Sequence, residues 1–118
     1  MNLPNVINEL VKTQNNFDSA AYAQCFAETA VVFDEGKTHT GRKEIEQWID
    51  KSNKDYKATM EPVDYDEKEN ILSAKISGTF PGSPIILKFH LEIDKQYPKR
   101  FHLDKDVITP FRVMAFFL

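Results

Sequence analysis

The residue whose type and position most invite chemistry is Asp34. It ends the run Ala30-Val31-Val32-Phe33-Asp34, just before Glu35-Gly36-Lys37. A carboxylate held in an apolar hollow has its pKa raised and can act as a general base near neutral pH. The competing reading makes Asp34 the first residue of a solvent-exposed hairpin turn, where aspartate is common. Five residues on stands His39, which could approach the mouth of such a hollow and share a proton with Asp34. Tyr22, Phe26, Trp48, Tyr56 and Phe80 are expected to line the pocket, since ligand cavities are lined largely by apolar and aromatic groups. Plain core packing competes for most of the Trp48 ring, although a buried indole N–H still needs a partner.

Other reactive side chains point elsewhere. Cys25 sits beside Phe26 on a helix and reads as a small buried hydrophobe. With no second cysteine it forms no internal disulfide, and the expected compartment is reducing, hence cytoplasmic. His90 and His102 each alternate with apolar neighbours, in Phe89-His90-Leu91 and Phe101-His102-Leu103. That places both on the outer face of a sheet, where they suit a dimer interface rather than catalysis. No HExxH, His-x-His or ligand-spaced carboxylate cluster is present, so no metal site is expected. A phosphate-binding glycine loop, a dinucleotide fingerprint and a Gly-x-Ser-x-Gly elbow are missing too, so no cofactor is expected.

The elements that must position these groups follow from periodicity. Val6, Ile7, Leu10 and Val11 form a one-sided stripe and predict a first helix, with Pro4 in its first turn and Asn15-Asn16 interrupting it. Asp18 or Ser19 caps a second helix running to about Ala27, with Tyr22, Cys25 and Phe26 on one face. Ala30 to Asp34 and Lys37 to Thr40 read as a short hairpin with Gly36 in its turn. Gly41 opens a third helix, in which Ile45, Trp48 and Ile49 share a face and which fades near Asn53. The remaining half alternates as strands. Thr59 to Tyr65 contains Pro62, which predicts an edge position or a bulge. Ile71 to Phe80 and Ile85 to Asp94 each keep one apolar face, and the turn Pro81-Gly82-Ser83-Pro84 separates them. Two shorter strands are expected near residues 100–104 and 107–113.

Helices gathered in the first half and strands in the second imply an α+β class. The expected architecture is a cone-shaped, curved antiparallel sheet wrapped around three N-terminal-half helices, with one open end. The 118 residues suit a single domain spanning 1–118. A net charge of −3 supplies no broad positive field for a phosphate backbone, so nucleic acid is not an expected partner. No signal peptide and no membrane-spanning run is visible, so no membrane is expected either.

Four segments resemble the nuclear-transport-factor-2-like superfamily, in its SnoaL-like polyketide-cyclase and ketosteroid-isomerase-like branch. They are Phe17-Asp18-Ser19-Ala20-Ala21-Tyr22-Ala23-Gln24-Cys25-Phe26-Ala27-Glu28, Ala30-Val31-Val32-Phe33-Asp34-Glu35-Gly36, Thr40-Gly41-Arg42-Lys43-Glu44-Ile45-Glu46-Gln47-Trp48-Ile49 and Ser77-Gly78-Thr79-Phe80-Pro81-Gly82-Ser83-Pro84. The resemblance spans roughly residues 3–113 and implies a cystatin-like α+β barrel. It also implies that Asp34 matches the aspartate that moves a proton in the isomerase-like and cyclase-like members. The isomerases further use a tyrosine on the first helix, and that position falls near Leu10 here; no tyrosine precedes Tyr22. The superfamily hosts isomerases, cyclases, dehydratases and non-catalytic binders alike, so the fold does not choose among them.

Two functions compete. In the first, an apolar small molecule enters the cone and Asp34 serves as general base in an isomerase-, cyclase- or dehydratase-type reaction. In the second, the chain is a non-catalytic ligand-binding or interaction module. A homodimer through the outer face of the sheet, around Ile86, Lys88 and His90, is expected, and the second reading depends on it.

Overall fold

The computed structural model describes residues 2–28, 30–34, 36–91 and 111–113, the last three by backbone alone. Among the described residues, three helices, α1 (Asn5–Asn15), α2 (Ser19–Gln24) and α3 (Gly41–Tyr56), accompany six strands. The strands are β1 (Val31–Asp34), β2 (Lys37–Thr40), β3 (Thr59–Asp66), β4 (Ile71–Ser77), β5 (Ile85–Leu91) and β6 (Phe111–Val113). They form one sheet in the order β2-β1-β6-β5-β4-β3.

The apolar stripe of α1 buries Val6, Ile7 and Leu10. Pro4 is the residue before the helix rather than part of its first turn, and its carbonyl accepts from the Ile7 and Asn8 amides. The helix stops where the sequence predicts, and the reason is a side chain. The Asn15 amide donates to the Met60 carbonyl at 2.9 Å, and its oxygen accepts from the Met60 amide at 2.7 Å. Asn15 thereby pairs with edge strand β3 as another strand would, tying α1 to the sheet.

Asp18 caps α2 by accepting from the Ala21 amide at 3.1 Å. This helix ends at Gln24, earlier than the expected Ala27. Its end is tied to the next helix, since Arg42 Nε donates to the Phe26 carbonyl at 2.8 Å. At the start of α3, the Glu44 carboxylate reaches back to accept from the Thr40 amide at 2.8 Å, a capping interaction that favours helix initiation there. α3 runs to Tyr56, a turn beyond the predicted end, and Lys57 closes it in the left-handed region.

On the sheet, Leu72, Ala74 and Ile76 alternate inward on β4, and Leu87, Phe89 and Leu91 do so on β5. Registers Leu72↔Phe89 and Ala74↔Leu87 bring these side chains together across the strands. They join Met60 and Val32 and the buried residues of the three helices in one core. Burying side chains of this size is worth about 1.5–3 kcal/mol each. β4 ends at Ser77 rather than Phe80, because Gly78 and Thr79 turn onto the end of α3, where the Thr79 amide donates to the Tyr56 carbonyl at 2.8 Å. The expectation for Pro62 holds on both counts: β3 lies at the sheet edge, and its register shifts between Pro62 and Asp64.

The expected antiparallel sheet packed with three helices is observed, with two features that the sequence did not specify. β6 lies between β1 and β5, antiparallel to β5 and parallel to β1. Among the described residues the sheet is also open, with β2 and β3 as its edges, so they form no closed barrel. The expected strand near residues 100–104, with His102, the last three residues of the strand expected to reach Asp94 and the first four of the one expected at 107–113 lie outside the described residues.

Candidate functional site

Alternation along β1 decides where Asp34 points. Val32 is fully buried, and Asp34, two residues on, shares its face and is 8% exposed. Gly36, at φ +79°, lets the chain reverse tightly behind it. Asp34 is therefore not the exposed turn residue of the competing reading. Across the hairpin, Val32 faces His39 and Asp34 faces Lys37. Directly opposed residues of an antiparallel pair project to the same side, so Lys37 and His39 share the inward face with Asp34.

α3 completes the site. Trp48 Nε1 donates to Asp34 Oδ2 at 3.0 Å. An indole nitrogen can only donate, so this carboxylate oxygen is an acceptor of fixed orientation. The His39 ring stacks on the indole with centroids 5.4 Å apart and planes 26° apart. Tyr22 meets the indole at 6.4 Å, tilted, and packs against Phe26 at 5.5 Å. Tyr22 is buried, and its phenol pKa is pushed strongly upward, first by burial and then by Cys25 and the Asp34 carboxylate. The hydroxyl is therefore a neutral group within the field of Asp34. His39 has its pKa lowered, chiefly by partial burial. Glu44 opposes that shift and the Lys37 ammonium adds to it. Its neutral form is thus favoured at neutral pH.

A cavity of about 310 Å³ lies beside these groups, lined by Asp34, Lys37, His39, Trp48, Lys51, Ser52, Asp55 and Tyr56. Four of the residues singled out from the sequence thus meet at one place: Asp34, His39, Trp48 and Tyr56. Three do not line this space. Phe26 is fully buried in the core, Phe80 packs edge-on against Tyr56 at 6.2 Å, and Tyr22 sits behind Trp48. The lining is more polar than the apolar cone expected, because one stripe of α3 faces it. Trp48, Lys51, Ser52, Asp55 and Tyr56 recur at i, i+3, i+4, i+7 and i+8. Sequence reasoning missed Lys37, Lys51, Ser52 and Asp55. The helical spacing from Trp48 was a signal for the last three, and the hairpin register was the signal for Lys37. Lys51 is already engaged, pairing with Asp55 at 2.7 Å.

Cys25 is buried, as its sequence context suggests, and its thiol lies 3.5 Å from the Ala21 carbonyl. His90 lies on the opposite face of β5 from Phe89 and Leu91, the face that also carries the exposed Ile86. Among the described residues, no helix is long and apolar enough to cross a membrane.

No protein-family model matches the sequence, and no curated protein does. Solved structures do. A candidate polyketide cyclase from Sinorhizobium meliloti is similar at 29% identity and a TM-score of 0.73, with 94% of each chain covered. A protein with a ketosteroid isomerase-like fold from Catenulispora acidiphila, solved with trimethylamine, gives 16% identity and a TM-score of 0.63, over 95% of this chain and 85% of that one. A de novo designed protein with a curved β-sheet matches at a TM-score of 0.63 and 13% identity, over 93% of this chain and 81% of its own. An NTF2-like protein of unknown function from Cytophaga hutchinsonii matches at 0.57 and 15%, over 92% and 84%. The α+β order, the helix-covered open sheet and these likenesses lead to one conclusion: the chain has the nuclear-transport-factor-2-like fold, and its structural relatives are SnoaL-like polyketide-cyclase, ketosteroid-isomerase-like and NTF2-like proteins.

Proposed function

We propose that this protein binds a small molecule in the cavity beside Asp34 and that Asp34 accepts a proton from it. The observation that carries the reading is a nearly buried carboxylate on the inward face of β1, oriented by the Trp48 N–H, at the wall of a cavity large enough for a compact organic ligand. A general base needs a fixed orientation and limited hydration, and burial together with the indole donor supplies both. The likeness to a candidate polyketide cyclase supports a substrate with an acidified C–H next to a carbonyl. The polar stripe of α3 favours a compound with polar substituents over a plain hydrocarbon. Steroid isomerisation is disfavoured, since the first-helix tyrosine position that the resemblance implies falls near Leu10, a core residue 1% exposed, and α1 carries no tyrosine.

The second reading is a non-catalytic dimeric binding module, and one surface observation favours its dimer. Ile86 is 57% exposed on the outer face of the sheet, where an apolar side chain of that size suits contact with a second copy.

A general proton-transfer probe separates the two. 5-Nitrobenzisoxazole loses its C–H proton to a base as the N–O bond breaks, and the released phenolate is coloured. Trp48 is the sole tryptophan, so its fluorescence reports entry of the probe into the cavity. The expected result is turnover above that of free carboxylate at equal concentration, lost by roughly 10²–10⁴-fold in Asp34→Asn. Quenching of Trp48 without turnover leaves the binding module. Equal turnover by the wild type and Asp34→Asn refutes the role of Asp34.

A further inference from the structure

A base that takes a proton from carbon leaves negative charge on its substrate, and that charge needs a partner. α1 does not supply it, since that helix carries no tyrosine and its Leu10 is an apolar core residue. The cavity's own lining narrows the search. Trp48 N–H already donates to Asp34 Oδ2. Lys51 is held by Asp55 at 2.7 Å, an ion pair along one face of α3. His39 is stacked on Trp48, and its neutral form is favoured. Lys37 is different. Among the described residues it takes part in no ion pair and no side-chain hydrogen bond. It stands directly across the hairpin from Asp34, on the same inward face, and it lines the same cavity. Cβ atoms of such opposed residues lie about 4.5–5.5 Å apart, so a flexible lysine chain can place its ammonium on the far side of a ligand that touches Asp34.

We propose that Lys37 is the counter-charge of this site: its ammonium pairs with the oxygen on which negative charge gathers when Asp34 removes a proton. The inference rests on the reading of Asp34 as the base, and it names the ligand class. That class is a small compound whose acidic C–H is conjugated to an oxygen able to become an enolate or a phenolate. In the probe reaction the C–H pair becomes part of the new nitrile, the N–O bond breaks, the oxygen keeps its electron pair as phenolate beside Lys37, and the proton ends on Asp34. Proton and charge thus separate between two side chains of one hairpin, β1 carrying the base and β2 the cation. The α3 stripe would supply the remaining wall.

The test compares two ligands of nearly one shape, 2-cyano-4-nitrophenolate and its neutral methyl ether, with Trp48 fluorescence as the binding readout. In the wild type the phenolate is expected to bind more tightly than the ether. In Lys37→Met that preference falls by about tenfold, while binding of the ether is unchanged. An exposed lysine supplies less than the roughly 10²–10³-fold of a buried oxyanion donor. Lys37→Arg retains the preference. Asp34→Asn increases it, because removal of a negative charge favours an anion. Lys37 is exposed, so the fold is expected to tolerate these changes, and far-ultraviolet circular dichroism checks that it does. A phenolate preference that survives in Lys37→Met overturns the role of Lys37 and leaves Asp34 as base, since the turnover comparison with Asp34→Asn stands alone. Failure of both ligands to change Trp48 fluorescence in the wild type overturns the shared cavity and the proposal with it.

Discussion

Replacing Trp48 with phenylalanine keeps a ring against Tyr22 and His39 and deletes the N–H that meets Asp34 Oδ2 at 3.0 Å. Hydrogen bonds to charged acceptors contribute about 1.5–3 kcal/mol, and the half-buried indole argues for the low end, about 1.5 kcal/mol. For a chain of this length each kcal/mol corresponds to roughly 4 °C in melting temperature, so the variant should melt about 6 °C lower. Lost packing of the larger ring also contributes, so the single variant does not isolate the bond. A cycle of Trp48→Phe, Asp34→Ala and the double variant does, by calorimetry or denaturant melts. Its coupling energy should be about 1 kcal/mol or more. Single-variant effects that add to within about 0.3–0.5 kcal/mol would show that the two groups are independent. The idea that Trp48 holds the base in place would then be wrong.

Three further outcomes are expected. Gly78→Ala should destabilise the fold by roughly 1–3 kcal/mol in urea melts, because a Cβ there would sit 2.6 Å from the Tyr56 carbonyl oxygen and 3.1 Å from the Ala58 Cα. An unchanged urea midpoint would mean that this close approach relaxes freely. His39 has a folded pKa below its ordinary 6.5, so the unfolded chain binds the proton first as pH falls. Its contribution to stability is full above about pH 6.5 and is lost as pH drops through the folded value. His39→Phe should therefore flatten the decline of melting temperature between about pH 7 and 5, and parallel profiles for the two proteins would contradict this. If the outer sheet face pairs two copies, sedimentation of the wild type gives a dimer and Ile86→Lys a 13.6 kDa monomer. A wild-type monomer at micromolar concentration sinks the dimer.

Much of the architecture was legible in residue order, because local periodicity and local chemistry are read without knowing the neighbours. The stripe of Val6, Ile7 and Leu10, the Asp18 cap, the glycine turn after Asp34, the inward faces of β4 and β5 and the edge position signalled by Pro62 are all short-range facts. Asp34, His39, Trp48 and Tyr56 could be named for the same reason, as reactive or aromatic side chains at informative positions. Their meeting could not. It depends on α3 folding back along β1 and β2, on the Glu44 cap and on the Arg42 tie to Phe26, which set the helix so that Trp48 reaches Asp34. The insertion of β6 beside β1 is likewise long-range, whereas the place of Lys37 opposite Asp34 follows from the local hairpin register. Alternation and helical pitch act over a few residues, whereas the side of a sheet a helix covers is decided by total burial, and only the folded chain resolves that balance.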